Sequence, residues 1–271
     1  MWRYNIILFF ISAIFSFIVI PFIYDLLRKN NCTSLNYRNQ NTPIGMGLVF
    51  VLVQSFVIIT FVQFKNNSNT FNFFYIFSIQ MIALIGVIDD LIGEKEVKGF
   101  RGHIYSLFNL RLTTGGLKLI IGGVVGLLVS LTLSKNPFEL IVNILIIGLF
   151  TNLINLFDLR PGRACKVFIV FSILMIFSAM SKEYNYIITS LMGNVLVYIP
   201  YDLKAKSMMG DAGSNVLGMT LGVFCAATQS ISIKIVYLIV IVIIHVVSEF
   251  RSLTEIIDNN KVLCYIDKLG R

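Results

Sequence analysis

Apolar residues dominate this chain in long runs, and polar residues are confined to short breaks between them. Runs near 20 residues match the length a helix needs to cross a bilayer, and they are twice as long as a barrel strand. The pattern predicts spans at 4–26, 44–64, 73–92, 112–133, 137–157, 166–181, 184–200, 213–230 and 233–250. Only Ser134 to Asn136 separates the fourth from the fifth, and the sixth and seventh are short. The fold class expected is therefore all-α: a polytopic transmembrane bundle of about nine helices. The first run is too long for a cleaved leader, and no small-x-small site follows it. Two units are expected, a membrane domain over 1–250 and an amphipathic tail over 251–271 at the inner surface.

Composition supports this. Of the 271 residues, 56% are hydrophobic and 13% charged, against about 25% charged in a soluble domain. With the N-terminus outside, the inner breaks hold 17 of the 22 lysines and arginines and the outer breaks hold five. Such a bias orients the chain and puts its C-terminus in the cytoplasm. The net charge of +8 thus gathers at the inner face, where anionic lipid or an anionic substrate accounts for it. The four cysteines have no paired spacing, so neither a disulfide nor a zinc site is expected.

The polar exceptions carry the chemistry. Asp89 and Asp90 end the third run, and adjacent carboxylates repel unless a cation or a shared proton relieves them. Asn152, Asn155 and Asp158 end the fifth run at i, i+3, i+6, a sweep of about 120° on one helix face. The asparagines read equally as hydrogen-bonding partners between helices. Asp158 is followed by Arg160 and Arg163, so an ordinary ion pair is a second reading there. Asp211 follows the seventh run within Gly210-Asp-Ala-Gly-Ser214, where Ser214 offers a cap and the helix N-terminus faces an anion. By topology all these acids reach one boundary of the membrane. Lys98, Arg101 and His103, then Thr113 to Lys118, form a basic loop rich in glycine and hydroxyls that suits phosphate recognition. Thr42 to Gly47 is expected to open helix two with Pro43 in its first turn. His245 and Glu249 stand one turn apart and are expected to bond.

Six segments, TPIGMG (42–47), GVIDDLIG (86–93), KGFRGH (98–103), TTGGLK (113–118), NLINLFD (152–158) and MGDAGSNVLG (209–218), occur in one order. That order resembles the polyprenyl-phosphate N-acetylhexosamine-1-phosphate transferases, of the glycosyltransferase family 4 type. The match covers about residues 40–220. The resemblance implies a membrane enzyme moving a sugar-1-phosphate from a nucleotide-diphosphate sugar, normally uridine-linked, to undecaprenyl or another polyprenyl phosphate. It implies magnesium as cofactor, with manganese as an alternative, and an active face in the cytoplasm. Asp211 corresponds to the metal-ligand aspartate. Asp89, Asp90 and Asp158 correspond to catalytic acids. Asn152, Asn155, Lys98, Arg101, His103, Lys118, Arg160 and Arg163 are the substrate-binding candidates. Membrane lipid is a partner, homodimers occur in the family, and no nucleic acid is expected. The chain also departs from the pattern. Pro161 stands near a second aspartate, Met208 replaces an aromatic residue, Tyr201 or Asp202 stands where an asparagine is usual, and a histidine-rich loop with its following helix is missing. Those departures raise two alternatives, a divergent enzyme and a degenerate paralogue that binds lipid or a partner enzyme. A proton-relay transporter ranks below both, because no acid lies near a helix midpoint.

Overall fold

A computed structural model describes residues 2–65, 70–93 and 113–271. The helices are α1 (Trp2–Lys29), α2 (Leu48–Lys65), α3 (Thr70–Ile92), α4 (Thr114–Leu133), α5 (Pro137–Phe157), α6 (Arg163–Ser178), α7 (Asn185–Leu203), α8 (Gly210–Thr228), α9 (Ile231–Phe250), α10 (Leu253–Asn259) and α11 (Lys261–Lys268). The first nine fall on the nine apolar runs. Six of them, α1 to α5 and α9, are long and apolar enough to cross a membrane. The chain is thus an all-α membrane bundle. Its outer surface fits lipid: Phe17 is 73% exposed, Phe177 85% and Phe250 83%, an apolar exterior that water would not tolerate over so many helices.

Helix α8 is the axis of the bundle. Seventeen of its 19 residues are buried, and it packs against α2, α3, α4, α5, α6 and α7. Its glycines and polar residues make it less apolar than the lipid-facing helices, because protein surrounds it on every side. Gly86 on α3 allows one of the close crossings: a Cβ there would meet the Ala212 backbone at 2.5–2.6 Å. Small residues at such positions let helix backbones approach in a membrane.

Polar side chains bind the helices where lipid offers no alternative partner. Gln54 of α2 donates to the Tyr75 hydroxyl of α3 at 3.0 Å and to the Ile187 carbonyl of α7 at 2.9 Å. Its amide oxygen accepts from Ser190 at 3.0 Å. Tyr75 in turn meets Thr220 of α8 at 3.1 Å. Four helices therefore share one buried network, which is costly to leave half-made. At the other end of α5, the buried Lys234 of α9 pairs with Glu139 at 2.8 Å.

Two local expectations fail. Pro43 does not open α2. It lies in a two-stranded hairpin, β1 (Thr33–Leu35) against β2 (Asn41–Pro43), in which Thr33 pairs with Pro43. The backbone beyond stays out of the helix because its partners lie elsewhere: Met208 donates to the Pro43 carbonyl at 2.8 Å, and Met46 donates to the Met208 carbonyl at 3.2 Å. Helix α2 begins only at Leu48. His245 bonds the Ile241 carbonyl at 2.9 Å rather than Glu249, since helical side chains lean toward the preceding turn.

The glycine crossing can be tested by substitution. Gly86→Ala should destabilise the protein by about 1–3 kcal/mol through overpacking, lowering its melting midpoint in detergent. Gly123→Ala meets nothing within 4 Å and should leave that midpoint unchanged or raise it, because alanine favours a helix.

Candidate active site

The acids predicted from separate runs do meet, at the end of the bundle where α3 and α5 finish and α4 and α8 begin. The N-terminus of α8 organises them. Its first N–H groups lack helical partners, and the Asp90 carboxylate supplies two acceptors. Asp211 N donates to Asp90 Oδ1 at 2.9 Å and Ala212 N to Oδ2 at 3.3 Å. An anion there is favoured by the helix dipole as well as by the hydrogen bonds. The anion at the α8 N-terminus is thus the protein's own. Gly210, at φ +66°, precedes it, and a side chain at that position would collide with the Asp90 carboxylate.

Asp211 faces the opposite way. Its Oδ2 accepts from Lys118 Nζ at 2.6 Å, a pair of which 16% and 22% of the side-chain surface stays exposed. Asp89 stands beside Asp211. Asn155 joins them. With its nitrogen turned toward the acid, the amide donates to Asp211 Oδ1 at 2.9 Å and to Ser214 Oγ at 3.1 Å, and accepts from Lys118 at 3.2 Å; this orientation is assigned from the bonding network. Ser214 therefore serves Asn155 and does not cap the helix.

Asp158 follows α5 in the turn leading to α6. Burial raises its carboxyl well above the usual range, and the like charges of Asp202, Asp211 and Asp90 add to the shift. Asp202 escaped the sequence reading as a site residue. It is 4% exposed, accepts from Gly162 N at 3.0 Å and lies 3.8 Å from Cys165 Sγ. Its only signal in the sequence was an acid at the end of an apolar run, close to Lys204.

The other candidates divide. Asn152 is exposed and forms no side-chain hydrogen bond among the described residues, so the structure does not bring it to the acids. Arg160 stacks over the Tyr37 ring at 5.5 Å and lines a cavity of about 410 Å³ with Lys268 and Arg271. Arg163 has another task. It is 3% exposed, and its guanidinium engages Asp267 at 2.8 and 3.0 Å and Thr254 at 3.0 Å. With Nε, Nη1 and Nη2 each bonded to α10 or α11, the buried Arg163 is engaged by the tail instead of being offered to a substrate, which corrects the expectation for it. Lys98, Arg101 and His103 lie outside the described residues. A second cavity of about 410 Å³ is apolar, lined by α6, α9 and the tail with Phe157 at its edge.

Among the described residues no three carboxylates, cysteines or histidines form a protein-only metal cage. Magnesium does not need one, since it takes one or two carboxylates and leaves further positions to water and phosphate. Asp211 fits that demand: it already holds a cation, the Lys118 ammonium, and Asp89 stands beside it.

The profile of glycosyl transferase family 4 matches residues 72–229. The chain is similar to three proteins named phospho-N-acetylmuramoyl-pentapeptide-transferase. It is 25% identical to that of Thermotoga neapolitana over 244 residues, 86% of this chain and 78% of that protein. It is 29% identical to that of Fervidobacterium nodosum over 203 residues, 72% and 61% of the two chains. It is 27% identical to that of Prochlorococcus marinus over 214 residues, 73% and 59%. The chain thus spans about three-fifths of the last two relatives.

The burial of Asp158 predicts a pH effect. Its folded-state affinity for a proton is raised, so it costs no stability while the unfolded chain is also protonated. The cost grows as pH rises through the unfolded value, about 4. Asp158→Asn should therefore unfold later than the native chain at pH 7 in EDTA, and the difference should fade below about pH 4. A lower midpoint for the variant at pH 7 would contradict the assignment.

Proposed function

Because this chain belongs to glycosyl transferase family 4, we propose that it transfers a sugar-1-phosphate to a polyprenyl phosphate for envelope glycan synthesis. The donor is a nucleotide-diphosphate sugar of the UDP-N-acetylhexosamine class. The observation that carries the reading is the meeting of Asp89, Asp90, Asp211, Asn155 and Lys118 at one end of a membrane bundle. The excess of lysine and arginine in the breaks at that end supports a cytoplasmic active face, with nine membrane helices and the N-terminus outside. The active domain is 1–250, and 251–271 is its cytoplasmic tail.

In the reaction an oxygen of the lipid phosphate attacks the donor phosphorus that bears the sugar. That P–O bond forms as the bond to the nucleoside monophosphate breaks, and the attacking oxygen needs no strong base because it is already anionic. Asp211 and Asp89 would hold Mg²⁺, or Mn²⁺, whose charge offsets that of the pyrophosphate and its leaving oxygen. Asp90 keeps Asp211 in place by fixing the start of α8. Asn155 holds the Asp211 carboxylate from the side, and Lys118 is positioned to exchange Asp211 for a phosphate oxygen. Asp158 borders the same end. Arg160, on Tyr37, faces a cavity that suits the anionic donor. The apolar cavity beside Phe157 suits the prenyl chain, so that the phosphate would lie at the membrane boundary where the acids stand.

A second reading has two specific observations behind it. Arg163 is committed to Asp267 and Pro161 stands where an acid is usual, which fits a paralogue that binds the lipid without reacting. Membranes containing the chain, incubated with labelled sugar nucleotides and undecaprenyl phosphate, decide between them. The transferase reading expects a lipid-linked product, lost by about 100-fold or more in Asp211→Asn, the scale of removing a group that stabilises transition-state charge. Polyprenyl phosphate binding with no product from any donor would favour the second reading.

A further inference from the structure

The turn between α5 and α6, residues 158–162, brings Asp158 to the acid end, yet the Asp158 side chain has no hydrogen bond or ion pair among the described residues. Its position comes from the turn itself, and the turn is gripped from two sides. On one side Asp202 Oδ2 accepts from Gly162 N at 3.0 Å. On the other stands the tail. Arg271 Nε donates to the Pro161 carbonyl at 2.9 Å, and its Nη2 reaches Asp267 Oδ1 at 2.9 Å. Arg163, the residue that leaves the turn, donates from Nε and Nη2 to the two carboxylate oxygens of Asp267. Lys166, one turn further along α6, donates to the last carbonyls of α11, Ile266 O at 2.9 Å and Asp267 O at 2.7 Å.

We infer that the tail is a positioning element of the reaction centre, in which Asp267, acting through Arg163, sets the 158–162 turn and hence Asp158. The inference rests on the transferase reading for its effect on the reaction, though not for the clamp itself. Three features favour a positioning task over simple attachment of the tail. The contacts fall within eight residues after Asp158, although Arg163 and Asp267 lie 104 residues apart. Both Arg163 and Asp267 are buried, at 3% and 6% exposure. A bidentate arginine–carboxylate pair fixes orientation as well as distance, which a lysine cannot reproduce. The turn also holds Gly162 against Asp202, whose charge bears on Asp158. A shift of the turn would change the spacing of these two acids.

The test uses the full chain in lipid nanodiscs with Asp267→Asn, Arg163→Lys and the charge exchange Arg163→Asp with Asp267→Arg. Two readouts are taken: hydrogen exchange of peptides covering 158–166, and kcat and KM for donor and acceptor. Asp267→Asn should raise exchange in 158–166 by about 10-fold, local opening made easier by one broken anchor, while 216–226 in α8 stays protected. Its kcat should fall by about 10-fold, with both KM values within about 2-fold, as for a group needed in the transition state alone. The charge exchange should recover part of both. Unchanged protection in 158–166 would overturn the clamp. A loosened turn with native kcat would overturn the positioning task. A native chain that makes no product from any donor would sink the transferase reading and the positioning task with it, while exchange still decides the clamp. Should Asp267→Asn not fold, Arg163→Lys, which keeps the charge without the fork, is read in the same way.

Discussion

The Asp90 carboxylate on the first N–H groups of α8 is the contact on which the rest of the site depends. It joins the end of α3 to the start of the central helix, and Asp211 is the residue whose backbone it binds. With Asp211 N fixed, its carboxylate turns toward Lys118 and Asn155, and the start of α4 and the end of α5 are drawn to the same point. Gly86, one turn before Asp90, lets α3 lie close enough for the cap to form. Gly210, in the left-handed region, leaves room for the carboxylate. The acidic pair in the apolar run therefore has two jobs. Asp90 is architectural, its carboxylate bound to the start of α8, and Asp89 stands beside Asp211.

The tail completes this arrangement from outside the helix core. An arginine next to an acid at a membrane boundary invites a substrate reading, but Arg163 shows why burial decides. Each nitrogen of its guanidinium donates to a partner from α10 or α11, and removing one member of a buried pair of that kind is strongly destabilising. Arg160, three residues earlier, is held among the described residues by a ring stack and borders a cavity. The two arginines share a sequence neighbourhood and differ in what folds over them.

Much of this was legible in the sequence, because hydrophobic runs report directly on helices in lipid. Parity of the runs alone brought Asp89, Asp90, Asp158 and Asp211 to one boundary, and the structure joins Asp90 and Asp211 by a hydrogen bond. The division of labour within the acidic pair was not legible, because it depends on which oxygen meets a backbone N–H over a hundred residues away. Helix α2 began late because the bonds of residues 43–46 go to the loop before α8, a partner that no local propensity reveals. Asp202 and Asp267 were missed for a related reason. Each is an ordinary acid near lysines in sequence, and each gains meaning only from the turn that it holds.

The charge balance at this end bears on what it can bind. Among the described residues Asp89, Asp90, Asp158, Asp202 and Asp211 gather there. The α8 N-terminus offsets Asp90, and Lys118 offsets Asp211. With Asp158 pushed toward its neutral form by burial, what remains is the charge of the other acids in a partly desolvated place, where charges act over longer distances than in water. A lipid phosphate and a sugar nucleotide, both anions, would be repelled by such a field alone. The proposed transfer therefore needs a cation between the carboxylates and the phosphates. Lys118 supplies one charge and can swing between Asp211 and a phosphate oxygen. A pyrophosphate carries more than one charge, so the proposed transfer would call on a divalent ion, which Asp211 and Asp89 would hold while Lys118 turned to the substrate.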